Sequence, residues 1–315
     1  VRLTLPTGEA VTAFADAIDR LTGTDCAPVL LAISGGPDSL AMLLLAKAAI
    51  PDRIHAVTVD HQLRPESAAE ANLVSNLSAR LNISHKVLYP EQPITGNLQS
   101  TARAVRYDLL TQHADATGCR WIATAHHADD QLETVLMRVA RGSGIDGLAG
   151  VRARQDRIIR PLLNLRKAQL ESICADAGVE PVRDPSNEDS DFDRVAMRQW
   201  LAGNKQLFDA KRAVRTAASF ADAAEALAWA ADLIARDHLR QSEGIVTIDP
   251  AGLPLEFLRR LLLRALALVE PGNAPRGKAI DRALHDLAAD KRFTQGNVLC
   301  QGGDSWQFRP APPRK

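Results

Sequence analysis

Ser34-Gly35-Gly36-Pro37-Asp38-Ser39 stands between the apolar run Val29–Ile33 and a helical stretch beginning near Leu40. Glycines at such a junction let backbone N–H groups approach an anion, and the helix N-terminus favours negative charge. The segment is therefore positioned as a phosphate cradle. It lacks the lysine of a Walker A loop, G-x-x-x-x-G-K-[ST]. An acidic Asp38 among phosphates requires a bridging cation, which points to Mg²⁺. An ordinary glycine turn would explain the two glycines alone, but not the complete run in this setting.

A second constellation runs from Ala125 through His126, His127, Asp129, Asp130 and Glu133 to Thr134, and continues into Arg141–Leu148. Leu132, Val135, Leu136 and Val139 form one apolar helical face, whereas Asp130 and Glu133, at i and i+3, fall on another. Two carboxylates can thus serve one site. His126 closes the preceding strand, at the end of a parallel sheet where α/β folds bind ligands. The plainer alternative is that Asp129 or Asp130 caps the helix.

Elements of alternating type must position these residues. Apolar spacing predicts a helix over 11–22, a strand over 29–33, a helix over 40–49, a strand over 54–59, a helix over 68–81 and a strand near 85–89. A helix over about 98–118 and a strand over 121–125 follow. Strands alternating with helices imply βαβ units, so the fold class is α/β, a doubly wound, mainly parallel sheet. Beyond 194 the chain becomes rich in Ala, Leu and Arg, with helical stripes over 195–207, 214–238 and 255–269. The expected division is a catalytic domain over 1–192, a smaller helical domain over 193–292, and a short hairpin over 293–315 that would be a truncated extra domain.

The 315 residues are 46% hydrophobic and 24% charged, which excludes disorder and a disulfide-dependent mini-fold. Lys plus Arg and Asp plus Glu each total 38, so any basic surface must be local. Residues 138–167 hold eight basic against two acidic residues, and residues 255–315 eleven against six. Such patches suit a phosphate backbone. Cys26, Cys119, Cys174 and Cys300 form no C-x-x-C pair, which points to a reducing compartment. No apolar run approaches a membrane span, and Pro6, Gly8 and Glu9 lie where a signal peptide would be apolar. The expected location is cytoplasmic.

Ser34–Ser39 resembles the pyrophosphate loop of the N-type PP-loop ATPases, which implies cleavage of ATP between the α- and β-phosphates to adenylate an oxygen. The wider pattern resembles the tRNA(Ile)-lysidine synthetase family. Its D-H-x-L-R motif matches Asp60-His61-Gln62-Leu63-Arg64, and its A-R-x-x-R-Y matches Ala102-Arg103-Ala104-Val105-Arg106-Tyr107. Then come His126–Thr134, Arg141-Gly142-Ser143-Gly144 to Leu148, Arg160-Pro161-Leu162-Leu163 and Asp184-Pro185-Ser186-Asn187. One departure follows: where the family shows R-N-x-x-R, this chain has Arg194-Val195-Ala196-Met197-Arg198.

The resemblance implies that L-lysine is joined to C2 of the wobble cytidine of the CAU-anticodon isoleucine tRNA, with ATP and Mg²⁺, through an adenylated cytidine. It assigns ATP to Ser34, Gly35, Gly36, Pro37, Asp38, Ser39, His61 and Arg64, and Mg²⁺ to Asp38 and Asp130. Arg103, Arg106, Arg141, Gly142, Ser143, Gly144, Arg160, Arg194 and Arg198 are the expected tRNA or phosphate contacts. A lysine amine of pKa about 10.4 lies about 4.6 kcal/mol from its free base at pH 7, so something must take the proton. His126 is the candidate base, Glu133 the candidate holder of the ammonium, and a homodimer a possible assembly. Two other classes compete. A PP-loop tRNA thiolase would rely on cysteine pairs, and no two cysteines here are closer than 55 residues. A non-catalytic ATP-gated RNA-binding module would need fewer acid and base groups.

Overall fold

The computed structural model describes residues 3–23, 25–63, 67–93, 98–182, 193–204, 206–272, 275 and 277–312. Two compact units are present: one comprises Val1–Arg138 with Ala149–Ala218, the other Val139–Leu148 with Ser219–Lys315.

The first unit runs α1 (Glu9–Thr22), β1 (Val29–Ala32), α2 (Pro37–Ala49), β2 (Ile54–Val59), α3 (Ser67–Arg80), β3 (His85–Leu88), α4 (Leu98–Ala116), β4 (Trp121–Ala123) and α5 (Ala128–Ala140). After α6 (Ile145–Leu148), which groups with the second unit, come β5 (Arg154–Gln155), β6 (Ile158–Ile159), α7 (Lys167–Asp176), α8 (Asp193–Gly203) and α9 (Ala210–His238). Its sheet has the order β3-β2-β1-β4-β6-β5, parallel except for the β5–β6 pair. Strand periodicity sends alternate residues to opposite faces. Val29, Leu31 and Ile33 enter a cluster with Phe14 and Ile18 of α1, the apolar body of α2 and Leu170 of α7, whereas Leu30 packs with Leu110 and Ala114 of α4. The expected doubly wound sheet is thus observed. Leu40 to Ala46 of α2 are fully buried, as a helix apolar on every side must be.

The units divide within α9, not at the expected 192/193 boundary. Leu201, Phe208, Ala210, Ala213 and Val214 pack against Ala128, Leu132 and Leu136 of α5, which ties α8 and the start of α9 to the sheet unit.

The second unit adds β7 (Leu239–Ser242), β8 (Ile245–Ile248), α10 (Leu255–Val269), α11 (Lys278–Ala288), β9 (Arg292–Gln295), β10 (Val298–Gln301) and β11 (Trp306–Pro310). It is helical as expected, but it also holds an antiparallel sheet of order β7-β8-β11-β10-β9. The tail hairpin is present as β10–β11, and β11 also pairs with β8, so it belongs to the sheet of this unit. Val246, Ile248, Val298, Cys300, Trp306 and Phe308 bury one sheet face under Leu261, Leu262 and Leu266 of α10 and Leu284 and Leu287 of α11. Glu243 and Gly244, at φ 49° and 77°, make the tight β7–β8 turn. No helix of the described residues is long and apolar enough to cross a membrane.

Gly302 lies where a Cβ would stand 2.3 Å from the Leu287 carbonyl oxygen and 2.8 Å from Asp290 Cα. Both obstacles are backbone and cannot swing aside. Gly302→Ala is expected to destabilise the second unit by about 2–3 kcal/mol, an overpacking cost. Urea unfolding followed by fluorescence checks this, and an unshifted midpoint would contradict the close approach.

Candidate active site

In the order β3-β2-β1-β4, the chain turns back between β1 and β4, the kind of position where an open α/β sheet leaves a ligand crevice beyond its carboxyl ends. The segment after β1 carries Ser34–Ser39, and the segment after β4 carries His126 to Glu133. The two constellations therefore face one crevice for topological reasons. A cleft of about 1140 Å³ opens there, lined among others by Ser34, Gly36, Asp38, His61, Arg106 and His127. That is ample for a nucleotide.

Ser39 closes the loop from within. Its Oγ accepts the Ser34 N–H at 3.1 Å and donates to the Gly36 carbonyl at 2.9 Å, while the Ser34 and Ser39 hydroxyls lie 3.2 Å apart. Gly35 has φ 88°, a left-handed conformation that disfavours side chains. A Cβ on Gly36 would meet only Ser34 Oγ at 3.7 Å, so the space above that backbone is open to a ligand. Pro37 is the first residue of α2, where its missing N–H costs nothing.

His127 is the centre that sequence reasoning missed. It is 3% exposed, and its Nε2 lies 3.6 Å from Asp38 Oδ2 and 3.5 Å from Asp130 Oδ2. The carboxylates of the two motifs thus converge on one nitrogen. Burial pulls the His127 pKa down, but Asp38, Asp130 and Asp129 outweigh it, and the net shift is upward. His127 and Asp130 also cap α5 reciprocally: Asp130 Oδ2 accepts the His127 N–H at 3.1 Å, and His127 Nδ1 accepts the Asp130 N–H at 3.3 Å. The i, i+3 spacing of a histidine and an aspartate before an apolar run was the available signal. Asp129 serves a different element, accepting the Lys167 N–H at 2.8 Å at the start of α7 and pairing with Arg166.

His126, the residue before His127, has Nδ1 3.0 Å from Thr124 Oγ1. Burial lowers its pKa to about 4, Asp130 opposes the shift, and Arg160, Arg106 and Arg103 reinforce it. It is a neutral imidazole at pH 7. The same three guanidinium groups surround Tyr107, a second residue not singled out from sequence. Arg103 and Arg106 stand 5.1 and 5.3 Å from its ring centroid. Burial raises the phenol's pKa, yet the three cations prevail and lower it. Arg160 is 5% exposed and donates to the Arg152 carbonyl at 2.5 Å.

Arg194 and Arg198, one turn apart on α8, reach back to α5. Arg198 Nε donates to Glu133 Oε1 at 2.7 Å and its Nη2 lies 3.5 Å from Asp130 Oδ1, while Arg194 donates to Thr134 Oγ1 at 3.1 Å. Glu133 is 5% exposed. Burial raises its pKa against the pull of Arg198 and Arg194. In the second motif loop, Asp60 accepts the Gln62 N–H at 2.8 Å, which shapes the turn that presents His61. Arg64 and Asp184-Pro185-Ser186-Asn187 lie outside the described residues. Arg141, Gly142, Ser143 and Gly144 belong to the second unit, where Arg260 holds the adjoining Asp146 at 2.9 Å.

Buried polar atoms nearly always find partners. Here Asp38 Oδ1, His61 Nδ1 and Arg106 Nε, all on cleft-lining residues, have no hydrogen-bond partner among the described residues. Donors and an anionic acceptor left open in one cleft suit a polyphosphate and its counter-cation.

A nucleotide cradle at the β1–β4 crevice, faced by acidic side chains, defines a PP-loop domain, and the family model described as PP-loop domain matches residues 11–204. The tRNA(Ile)-lysidine synthase of Zymomonas mobilis is 38% identical over 295 residues, covering 90% of this chain and 89% of that one. That of Novosphingobium aromaticivorans is 39% identical over 295 residues, covering 91% and 90%. The chain belongs to the tRNA(Ile)-lysidine synthase family. Among solved structures, the U34-tRNA thiolase of Methanococcus maripaludis with its [4Fe-4S] cluster aligns over 67% of this chain and 78% of that one, with a TM-score of 0.55. At 16% identity this likeness concerns the fold alone.

The depressed pKa of His126 makes stability depend on pH. Between the ordinary 6.5 and the folded value of about 4, the unfolded chain binds the proton and the folded chain does not. This contribution is complete above 6.5 and is lost as pH falls through 4. His126→Asn is expected to remove on the order of 2 kcal/mol from the fall in unfolding free energy between pH 7 and pH 4. Urea titrations across that range test it, and equal slopes for both proteins would exclude the effect.

Proposed function

We infer that this protein is an ATP-dependent ligase that joins L-lysine to C2 of the wobble cytidine in the CAU-anticodon isoleucine tRNA, forming lysidine. The convergence of Asp38 and Asp130 beside the open Ser34–Ser39 loop, in a chain of this family, carries the reading. The partner is a tRNA, so the reading carries with it a cytoplasmic location.

We assign the pyrophosphate to the loop amides and the N-terminus of α2, with His61 beside them. Arg103, Arg106 and Arg160 are assigned to anionic oxygens of the α-phosphate or of the tRNA backbone, where guanidinium forks match phosphate geometry. Asp38 and Asp130 would hold Mg²⁺, which accepts one or two carboxylates and completes its shell with phosphate and water. The partnerless Asp38 Oδ1 supports that fit. Bound there, the ion would offset negative charge growing on the phosphates.

The cytidine O2 attacks the α-phosphorus, and pyrophosphate leaves. The lysine amine then attacks C2 and AMP departs. His126, a buried and neutral imidazole, is assigned the ammonium proton; Glu133, beside Asp130, is assigned the cation itself. Arg194 and Arg198 hold Glu133 in place, and Arg141 with Gly142, Ser143 and Gly144 is assigned to the tRNA. The thiolase alternative loses support because all four cysteines are free thiols, three of them buried.

Incubation with ATP, Mg²⁺, labelled lysine and either the isoleucine or the methionine tRNA transcript tests the reading. AMP, pyrophosphate and label in the isoleucine transcript alone are expected. Formation of ADP, or no label in RNA, would overturn it. Asp38→Asn is expected to lower turnover at least about a hundredfold, as for loss of a group that stabilises transition-state charge. Glu133→Gln is expected to raise the KM for lysine about tenfold, a charge-assisted contact worth roughly 1.5 kcal/mol. Pyrophosphate release dependent on tRNA should persist in that variant, and an unchanged KM would remove Glu133 from lysine binding.

A further inference from the structure

Trp121 and Trp306 are each 3% exposed, whereas Trp200 on α8 is 48% exposed and Leu207 beyond it 64%. The indole leans on Phe208, with ring centroids 5.5 Å apart and planes inclined at 50°. Phe208 in turn packs into the small cluster built on Ala128 and Leu132 of α5. Trp200 is therefore mounted, through one aromatic neighbour, on the helix that carries Asp130 and Glu133. The stretch of sequence that carries it is basic. Residues 194–218 contain Arg194, Arg198, Lys205, Lys211, Arg212 and Arg215 against Asp209 alone, a net of +5. Asp209 lies 3.8 Å from the Arg166 guanidinium, which offsets its charge, and Lys211, Arg212 and Arg215 occupy exposed positions. Trp229 makes the contrast: it is 66% exposed, but residues 219–238 hold four acidic residues against Arg236. Exposed apolar rings have several uses; one set among cations matches a strand that offers both bases and phosphates.

We infer that Trp200 is a stacking platform for an unpaired base of the tRNA anticodon loop, flanking the wobble cytidine, with Lys211 and Arg212 on the adjoining phosphates. The inference rests on the proposed function and adds a contact that none of its motifs includes. Stacking on an indole is indifferent to base identity, so this contact supplies grip and orientation, while the choice between CAU-bearing tRNAs lies elsewhere.

The test uses the full chain carrying Trp229→Phe, so that Trp200 is the one exposed tryptophan reporting, and an anticodon stem-loop with a CAU loop as probe. Titration is expected to quench the fluorescence. Trp200→Leu, which keeps apolar contact with Phe208, should raise the Kd about tenfold, and Trp200→Phe should restore most of the affinity. Wild-type affinity in Trp200→Leu, or no quenching, would overturn the inference. So would a change in sedimentation coefficient with RNA affinity intact, because the face would then cover a second copy. Should the leucine variant fail to fold, quenching and the phenylalanine variant decide. Lysine ligation is scored separately: ligation without a Trp200 effect sinks only this inference, and Trp200-dependent binding without ligation sinks the proposed function alone.

Discussion

Burial of α2 on every side is the constraint on which the site depends. Leu40 to Ala46 leave that helix no freedom to slide between the sheet, α1 and α7, so its first turn is held in place. The Ser34–Ser39 loop inherits that rigidity, and Ser39 passes it back through hydrogen bonds with the Ser34 N–H and the Gly36 carbonyl. A flexible glycine pair thereby becomes a preformed concavity. The Cys174 thiol, which donates to the Pro37 carbonyl at 3.3 Å, adds a tie from α7. Burial pushes that thiol's pKa up to about 12, so it stays protonated and keeps its donor.

Across the crevice, α5 is positioned by polar means. His127 and Asp130 close its first turn, Asp129 reaches α7, and Gln131 grips both the N–H and the carbonyl of Val151 at 2.7 and 3.1 Å. Four polar residues within the five of 127–131 are thus each paired, two of them with each other. This division of labour explains why so acidic and histidine-rich a segment can sit beside an apolar core without unfolding it. The fold it shares with a thiolase shows that such scaffolding is separable from chemistry, which resides in the side chains set upon it.

Much of both units was legible where periodicity is strong. The expected strand over 54–59 is observed at Ile54–Val59, and the helix over 255–269 at Leu255–Val269. The β7–β8 hairpin was not legible. Its turn is Glu243-Gly244, where Asn-Gly or Asp-Gly would have marked it, and β7 is too polar and short to show alternation. Pairing across sequence distance was hidden too. Nothing in the spacing of Arg194 and Arg198 says that both reach Glu133, some sixty residues earlier, because that contact depends on how α8 packs on α5. His127 was passed over since the sequence pattern put its neighbour His126 at the end of a strand that in fact stops at Ala123, and only three-dimensional placement shows which imidazole meets both carboxylates.

The surroundings of His126 have one further consequence. Its imidazole is a feeble proton acceptor first because it is buried and further because three guanidinium groups bear on it. Any oxyanion that settles among Arg103, Arg106 and Arg160 cancels part of that field and strengthens the nitrogen as an acceptor. Anion binding at these guanidinium groups and the basicity of the imidazole are thus coupled: under the proposed function, an arriving polyanion would make His126 the better base.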